Sequence, residues 1–542
     1  MIGLTGQDEG GRMQTVDAVV VGAGHHGLVT AALLADAGWD VLVVEERDEV
    51  GGAVASRVDG DWVEDEFSAC HPLALASPVL RDLGLEHHGL EWAHAPRPLA
   101  HLAGRDRDGI ALHADPLDTA ADLDRGHPGD GAAWLEMVEQ WQRVREPLIR
   151  ALLTRWPPVA DAARLVARIG LREAPDLARM ALLPVHQLAR EHFGGAGAAQ
   201  LLAGNAMHAD IPPTAPGSGL YGWLMTMLCQ DVGFPSPRGG TRQLARALRL
   251  RAEAAGARVE TGVGAGRVVV AGGRVHGVEL SDGRRVRVRR AVVADTSAQR
   301  LYEDLLDPAD VPAGLRRRLA RFAWDLPTLK LNLRLDAPVP WTAPQARGAG
   351  VLHVGHDVPG LIRWSAELEA GEVPGAPFAL VGQMSTIDPS RSPEGTEALW
   401  LYTHLPRHRP ADAAAVAATV EGCERLLESL APGWSQHEVG RWVQTPGDLE
   451  GADANLVGGA VGGGTQQLFQ QALWRPVTGL GGPRTHVGGL YLGSAATHPG
   501  GGVHGGCGHL AARAALQDAR WWGRPRGRAL TGALRWLHDE QP

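Results

Sequence analysis

The residues from Asp17 to Glu45 constrain the fold more than any other stretch of this chain. They read Asp17-Ala-Val-Val-Val-Gly22-Ala-Gly24-His-His-Gly27-Leu, an Ala/Leu-rich run to Gly38, then Trp39-Asp-Val-Leu-Val-Val-Glu45. Strand, glycine turn, helix, strand and acid in this order predict a βαβ unit built around a dinucleotide. Gly22 permits the tight turn out of the strand, Gly24 lets backbone approach a pyrophosphate, and Gly27 lets helix and strand pack closely. The helix start offers free N–H groups to phosphate, and Glu45 can accept from ribose hydroxyls. The apolar run Ala18 to Val21 is too short to span a membrane.

With 542 residues, 44% of them apolar, the chain can bury a large core, and two or more domains are expected. A net charge of -10 gives no basic face for nucleic acid. Arginine-rich runs such as Arg284 to Arg290 and Arg316-Arg317-Arg318 read as solvated faces. Cys70, Cys229, Cys423 and Cys507 are scattered without a CxxC pair or metal-ligand spacing, so neither a redox disulfide nor a metal site is expected. Met1 to Gln14 lacks a charged-then-apolar secretory pattern, which makes a cytoplasmic location the default. A transmembrane segment is not expected, and peripheral membrane contact stays open. One lysine, Lys330, stands against arginine at every other basic position, a bias that leaves the exception unexplained.

After Glu45, Glu46-Arg47-Asp48-Glu49-Val50 forms a charged turn into Gly51-Gly52-Ala53, where paired glycines allow a second close backbone approach. Ser77-Pro78 predicts the cap and first residue of a short helix. Helical spacing dominates from about Asp115 to Leu250 and predicts a helical insertion suited to a substrate lid. Phe234-Pro-Ser-Pro-Arg-Gly239-Gly240-Thr241, with a helix through Ala255 and a strand at Arg258-Val-Glu-Thr261, returns the chain to the dinucleotide domain. Gly262-Val-Gly264-Ala-Gly266 precedes no long helix and reads as a turn into a hairpin, so a second nucleotide fingerprint is not expected. Alternation at Thr328 to Leu335, Leu361 to Trp364, Phe378 to Gln383 and Ala398 to Thr403 predicts strands of a mixed or antiparallel sheet, covered by a helix from about Ala411 to Leu430. Near the end, Gly489-Leu-Tyr-Leu-Gly493-Ser-Ala-Ala-Thr497-His498-Pro499-Gly500-Gly501-Gly502-Val503-His504 is a strand, a glycine turn and a helix start running on to about Trp521. Residues past Trp522 read as a polar, peripheral tail.

These motifs, with Arg238-Gly239-Gly240, resemble the phytoene desaturase-related flavoproteins of the monoamine-oxidase-like superfamily. Within it the chain resembles the branch called pyridine nucleotide-disulfide oxidoreductase domain-containing protein 2, through His25, His88-Gly89-Leu90, Thr445-Pro-Gly-Asp-Leu449-Glu450 and Arg475-Pro476. The paired cysteines of a disulfide reductase are missing. Ser494-Ala495-Ala496 stands where family members commonly have Gly-Ala-Gly, and His26 where the branch usually has Asn. The resemblance implies an α/β fold: a discontinuous Rossmann-type FAD-binding domain from residues 15–70, 234–305 and 480–522. A mixed-sheet substrate domain with a helical lid would come from 71–233 and 306–479, with 523–542 as tail.

It further implies extended FAD, with Gly22, Gly24 and Gly27 at the pyrophosphate and Glu45 on the adenosine ribose, and with His25, Glu46, Arg47, Gly51, Gly52 and Ala53 as further cofactor-binding residues. Ala265 would meet the adenine. Ser494, Gly502, Val503 and His504 would lie by the flavin, where a positive helix end suits the reduced ring. Lys330, on a strand ahead of Pro338-Val-Pro340-Trp341, resembles the amine-oxidase lysine that reaches flavin N5 through a water. It is the candidate catalytic residue, in a role a guanidinium fits poorly. His498 is a candidate flavin-side donor; Gln383, His404 and Trp474 are candidate cavity residues. The expected activity is desaturase or dehydrogenase chemistry on a largely apolar small molecule, by hydride transfer to flavin N5, with oxygen, a quinone or another carrier as electron acceptor. An FAD-dependent amine oxidase using oxygen and a non-catalytic flavin-binding regulatory protein are the alternatives.

Overall fold

Val16 and Ala18 to Val21 are almost wholly buried, and the strand they form, Gln14–Val21, lies at the heart of a seven-stranded sheet. The structure, a computed structural model, describes residues 14–104, 109–407, 412–479 and 481–539. Gln14–Val21 pairs in parallel with Val41–Val44 on one side and Arg285–Ala294 on the other. Arg258–Glu260 extends the sheet beyond Val41–Val44, and Leu490–Leu492 runs parallel to the end of Arg285–Ala294. Ala265–Ala271 and Arg274–Leu280 form the expected antiparallel hairpin at the other edge. Strands buried on both faces explain the unbroken valine runs, which alternation would not.

The helices His25–Asp36 and Gly506–Ala519 pack side by side on this sheet. Their contact is backbone on backbone: a Cβ on Gly508 would stand 2.0 Å from the His26 carbonyl oxygen, and Thr30 Oγ1 donates to Gly508 O at 3.1 Å. The fingerprint and the terminal glycine motif, remote in sequence, therefore open at one place.

The second seven-stranded sheet runs Glu438–Gln444, Thr328–Leu335, Glu397–His404, Ala379–Gln383, Ala349–Val354, Arg97–Leu102, Ile110–Leu112. It is mixed, because Ala349–Val354 and Arg97–Leu102 alone pair in parallel. In Thr328–Leu335 the period of two sends Leu331, Leu333 and Leu335 into a core with Leu399, Leu401 and the helix Ala413–Leu430. Each buried leucine contributes about 2 kcal/mol. Thr328, Lys330, Asn332 and Arg334 take the opposite face, where Arg334 meets Glu64 at 2.7 Å and Lys330 meets Asp65 O. That face docks the hairpin Ser56–Asp59/Trp62–Asp65. Ala411, where the covering helix was expected to start, lies outside the described residues.

Leu361 to Trp364 is a correction. It belongs to the helix Val358–Glu369, capped by Asp357, which accepts from Gly360 N at 2.9 Å, with Pro359 in the first turn. Four apolar-rich residues fit either period, and the cap decides. Seven helices between Pro116 and Val232 make the insertion, all of them feeding one core with Trp134, Trp141 and Trp223 fully buried. Past Trp522 the chain forms the helix Gly523–His538, with Leu534 and His538 buried.

Candidate functional site

One cavity of 1050 Å³ joins the fingerprint, the terminal motif, the second sheet and the helical insertion. At its fingerprint end Gly22 takes φ +93°, and a Cβ there would stand 2.8 Å from Asp295 O. A Cβ on Gly27 would stand 2.2 Å from Gly22 O, so the third glycine is what lets helix meet strand. Gly51 donates to Ala23 O at 2.9 Å, which brings Gly52 over Gly24. Glu45 accepts from Ala23 N at 2.7 Å and Arg47 N at 3.0 Å; burial raises its pKa despite both bonds.

Asp295, at the end of the strand Arg285–Ala294, accepts from Gly27 N at 2.7 Å. Burial, reinforced by Asp453 and Glu45, raises its pKa to about 8, so near neutral pH it is largely a neutral acid. Its place at the carboxyl end of a parallel strand beside the fingerprint is the signal that could have marked it.

Around the terminal motif the buried His26 and His504 and the half-buried His25 form one group, with rings 3.9 Å apart for His25 with His26 and 5.1 Å for His26 with His504. Burial lowers His25 to about 4 and His504 to about 3, leaving neutral imidazoles. His25 hydrogen-bonds the backbone of Gly502, and its Nε2 has no partner. Cys507 joins His26 and His504 within 4.8 Å, but burial pushes its thiol up to about 12 and it donates to Thr497 O and Gly500 O. Arg475, also buried, donates to the carbonyls of Ala495, Thr465, Gly463 and Gly464 and so fixes two glycine-rich segments. Its bonds to residues ten and more positions away gave no periodic sequence signal.

Lys330 lines the cavity and is 3% exposed. Its ammonium donates to Asp65 O and to Phe67 O at 3.4 Å, leaving one of three N–H donors uncommitted to them. Burial lowers its pKa to about 8, against the pull of Asp65, Glu64 and Glu66. Below it Arg391 meets Asp65 at 2.8 Å, both fully buried. Burial would raise Asp65, yet Arg391, Thr241 N and Ser56 together hold its carboxyl below the usual range.

Of the residues proposed from sequence, Gly22, Gly24, His25, Glu45, Glu46, Arg47, Gly52, Ala53, Ala265, Ser494, Gly502, Val503, His504 and Lys330 line this cavity. Gly27 and Gly51 stand behind its wall, where they shape backbone: the Gly27 N–H is taken by Asp295. His498 lines it while bonding Thr154 O at 2.9 Å, and Trp474 lines it, half exposed. Gln383 does not line it; it accepts from Trp341 Nε1 and donates to Ala346 O and Ala349 O. His404 stands one layer back, 2.8 Å from Asp210, a cavity residue that sequence reasoning missed together with Asp325 and Tyr402.

The family model described as "Flavin containing amine oxidoreductase" matches residues 27–516. The chain belongs to this family. It is 28% identical to pyridine nucleotide-disulfide oxidoreductase domain-containing protein 2 of Rattus norvegicus, over 93% of this chain and 94% of that protein. It is 27% identical to the zeta-carotene-forming phytoene desaturase of Myxococcus xanthus, over 90% of each. Among solved structures, an oxidoreductase from Methanosarcina mazei superposes with a TM-score of 0.61 at 14% identity, covering 92% of this chain and 99% of that one, a likeness of fold.

As a flavin containing amine oxidoreductase the protein is an FAD-dependent enzyme, and the cavity fits that cofactor. The helix His25–Asp36 starts at Gly24 without a side-chain cap and meets the cavity at Gly24 and His25, the Gly27 N–H being taken by Asp295; at Gly506–Ala519 the Gly506 N–H is taken by His504 Nδ1 at 2.9 Å, and Gly501 to His504, ahead of the helix, line the cavity. His25, the first residue of the helix His25–Asp36, lines the cavity, and its Nε2 has no hydrogen-bond partner. Fingerprint and terminal motif thus line one cavity with polar groups. Among the described residues no helix is long and apolar enough to cross a membrane.

Proposed function

We propose that this enzyme is of desaturase or dehydrogenase type, oxidising a largely apolar small molecule by hydride transfer to flavin N5. The observation that carries this reading is the continuity of one cavity. The same space lined by Gly24 and Val503 is lined by Leu153, Leu182, Leu220, Leu224, Met225 and Phe234 from the helical insertion and its flank. Such side chains exclude water from a substrate. Bound FAD supplies the two-electron chemistry, and oxygen, a quinone or another carrier takes the electrons onward.

The chain's own residues then have distinct tasks. Segments 15–70, 234–305 and 480–522 hold the cofactor, with Glu45 toward the adenosine ribose and the helix start at Gly506 giving positive potential beside Gly502 to His504. The insertion closes over the substrate. Lys330 keeps one N–H toward the cavity as a donor able to hold a water there. The similarity to a phytoene desaturase supports an apolar substrate.

The test is anaerobic addition of linear and cyclic terpenes and polyenes to the purified flavoprotein. The expected result is bleaching of the flavin band, with product two hydrogen atoms lighter than substrate. A flavin that dithionite reduces while no member of the panel bleaches it counts against the proposal.

A further inference from the structure

Most of the large apolar side chains that this protein leaves in water lie in three short stretches. Among the described residues fifteen are exposed, and eleven of them fall within 156–182, 461–474 and 521–536. Folding brings the stretches together. A Cβ on Gly481 would stand 3.3 Å from Trp156 Cβ and 3.4 Å from the Ala472 carbonyl carbon. Gly217 N donates to Leu182 O at 3.2 Å, and a Cβ on Gly217 would stand 2.8 Å from Leu468 Cγ. Gly479 N donates to Leu473 O at 2.8 Å, and Gly479 also meets Leu534 of the helix Gly523–His538.

This face surrounds an opening of the cavity. Trp156, Leu182, Val461 and Trp474 line the cavity and are nevertheless exposed, with Phe469 and Leu473 exposed beside them. Exposed apolar side chains gathered in one place mark an interaction surface. The charge around them is mostly of one sign. In a chain of net charge -10, residues 155–182 and 520–536 hold ten arginines against three acids, and 461–479 holds no acid. Two of the three, Asp161 and Glu173, are already paired with Arg164 and Arg143. Partial burial, then the charges of Arg526 and Arg484, lower the Arg155 guanidinium, so cations from the insertion and from the last helix face one another. Tryptophan with arginine is the composition of a lipid headgroup boundary, where the ring spans apolar and wet layers and the cation meets phosphate.

We propose that this face docks on the surface of an anionic lipid bilayer and opens the cavity toward the lipid. A protein partner seated here would stop the opening. A bilayer keeps it continuous with the medium in which an apolar substrate dissolves. Only the delivery of substrate rests on the oxidoreductase reading above; the docking does not.

Co-sedimentation of the purified holoenzyme with vesicles of phosphatidylglycerol and phosphatidylcholine in equal parts tests it. Binding at low salt is expected, about tenfold weaker on phosphatidylcholine alone and weakened by about 0.5 M salt. Leu182→Ser with Phe469→Ser should weaken binding to the anionic vesicles about tenfold or more, and Arg172→Gln with Arg526→Gln about tenfold. Leu117→Ser with Val439→Ser, exposed outside the three stretches, should leave it within about twofold. Retained flavin absorbance reports that each variant is folded. No binding to anionic vesicles, undiminished binding in either of the first two variants, or a dimer that Leu182→Ser with Phe469→Ser dissociates overturns the proposal. Sedimentation needs no flavin reduction, so docking by a protein whose flavin no substrate bleaches breaks the oxidoreductase reading alone. Bleaching by terpenes without docking breaks only this one.

Discussion

At the fingerprint end of the cavity much of what shapes the site is backbone: the glycine turn into the helix His25–Asp36 and the close approach of Gly52 to Gly24. At the far end the second sheet offers side chains, Thr328 and Lys330 from one strand and Trp400 and Tyr402 from the next, paired Lys330 to Tyr402. Backbone recognition tolerates no added atom but needs few particular residue types. Side-chain recognition tolerates small changes and is where one relative can differ from another. A single scaffold can therefore keep one cofactor and exchange its substrates.

The sharpest way to break this contrast is a single methyl group. Gly27→Ala puts a Cβ 2.2 Å from Gly22 O, a backbone atom that cannot move without dragging the strand. Complete loss of bound flavin is expected, with destabilisation of about 3 kcal/mol. Absorbance at the flavin band and a urea melt check both, and a variant that retains its flavin would show that the loop is more plastic than the packing implies.

Between the two ends stands the buried pair of Asp65 and Arg391. Asp65 Oδ1 fixes Thr241 N at 2.9 Å near the returning glycine segment, while its carbonyl takes Lys330. Arg391→Met leaves Asp65 buried and unpaired, at an expected cost of about 3–5 kcal/mol. Denaturant midpoints measure it; a cost near that of a surface substitution would mean that the two ends are not joined through this pair.

How much of this could be read from sequence follows the same division. Gly22, Gly24, Gly27 and Glu45 fall at fixed spacings because one turn, one helix and one strand impose them, and local geometry leaves a local trace. Lys330 stood out by being alone. Asp295 left only its place at a strand end, and Asp210, Asp325 and Arg475 left no such trace, since each acquires its role from residues farther along the chain: Asp210 from His404, Asp325 from Gly462 and Gly464. The alternation of Thr328 to Leu335 announced a strand, but not that its polar face would turn inward. The usual assumption that the polar face is solvated fails where a sheet closes over a cavity. Gln383, polar and on a strand, was spent on holding Trp341 and the Ala346–Ala349 turn.

Asp295 sharpens the account of the fingerprint end through pH. Its folded pKa of about 8 lies above the usual carboxyl value, so the native state holds a proton that the unfolded chain releases. Wild-type stability is therefore lost progressively from about pH 4 to about pH 8 and levels off above that. Asp295→Asn keeps an acceptor for the Gly27 N–H and removes the proton linkage. Relative to wild type it should be neutral near pH 4 and more stable by a few kcal/mol at pH 8 and above. Parallel melts across that range decide it, and a pH-independent difference would remove Asp295 from the linkage.

The smallest effect expected is at Lys330, and it probes the side-chain end. If its third N–H holds a water for the electron acceptor, the donor is available while the amine is protonated. Reoxidation of the reduced flavoprotein by oxygen should then slow as pH rises through about 8, the value to which burial lowers this lysine. Lys330→Met retains the stem against Trp400 but not the charge, and should keep FAD, slow reoxidation by about tenfold below pH 8 and flatten the pH profile. Stopped-flow absorbance measures all three. Because Lys330 also donates to Asp65 O and Phe67 O, a merely structural lysine would lower the melting temperature on substitution and leave the rate and its pH profile as they were. The profile, rather than the size of the rate change, separates a residue that serves the chemistry from one that only ties the hairpin to the sheet.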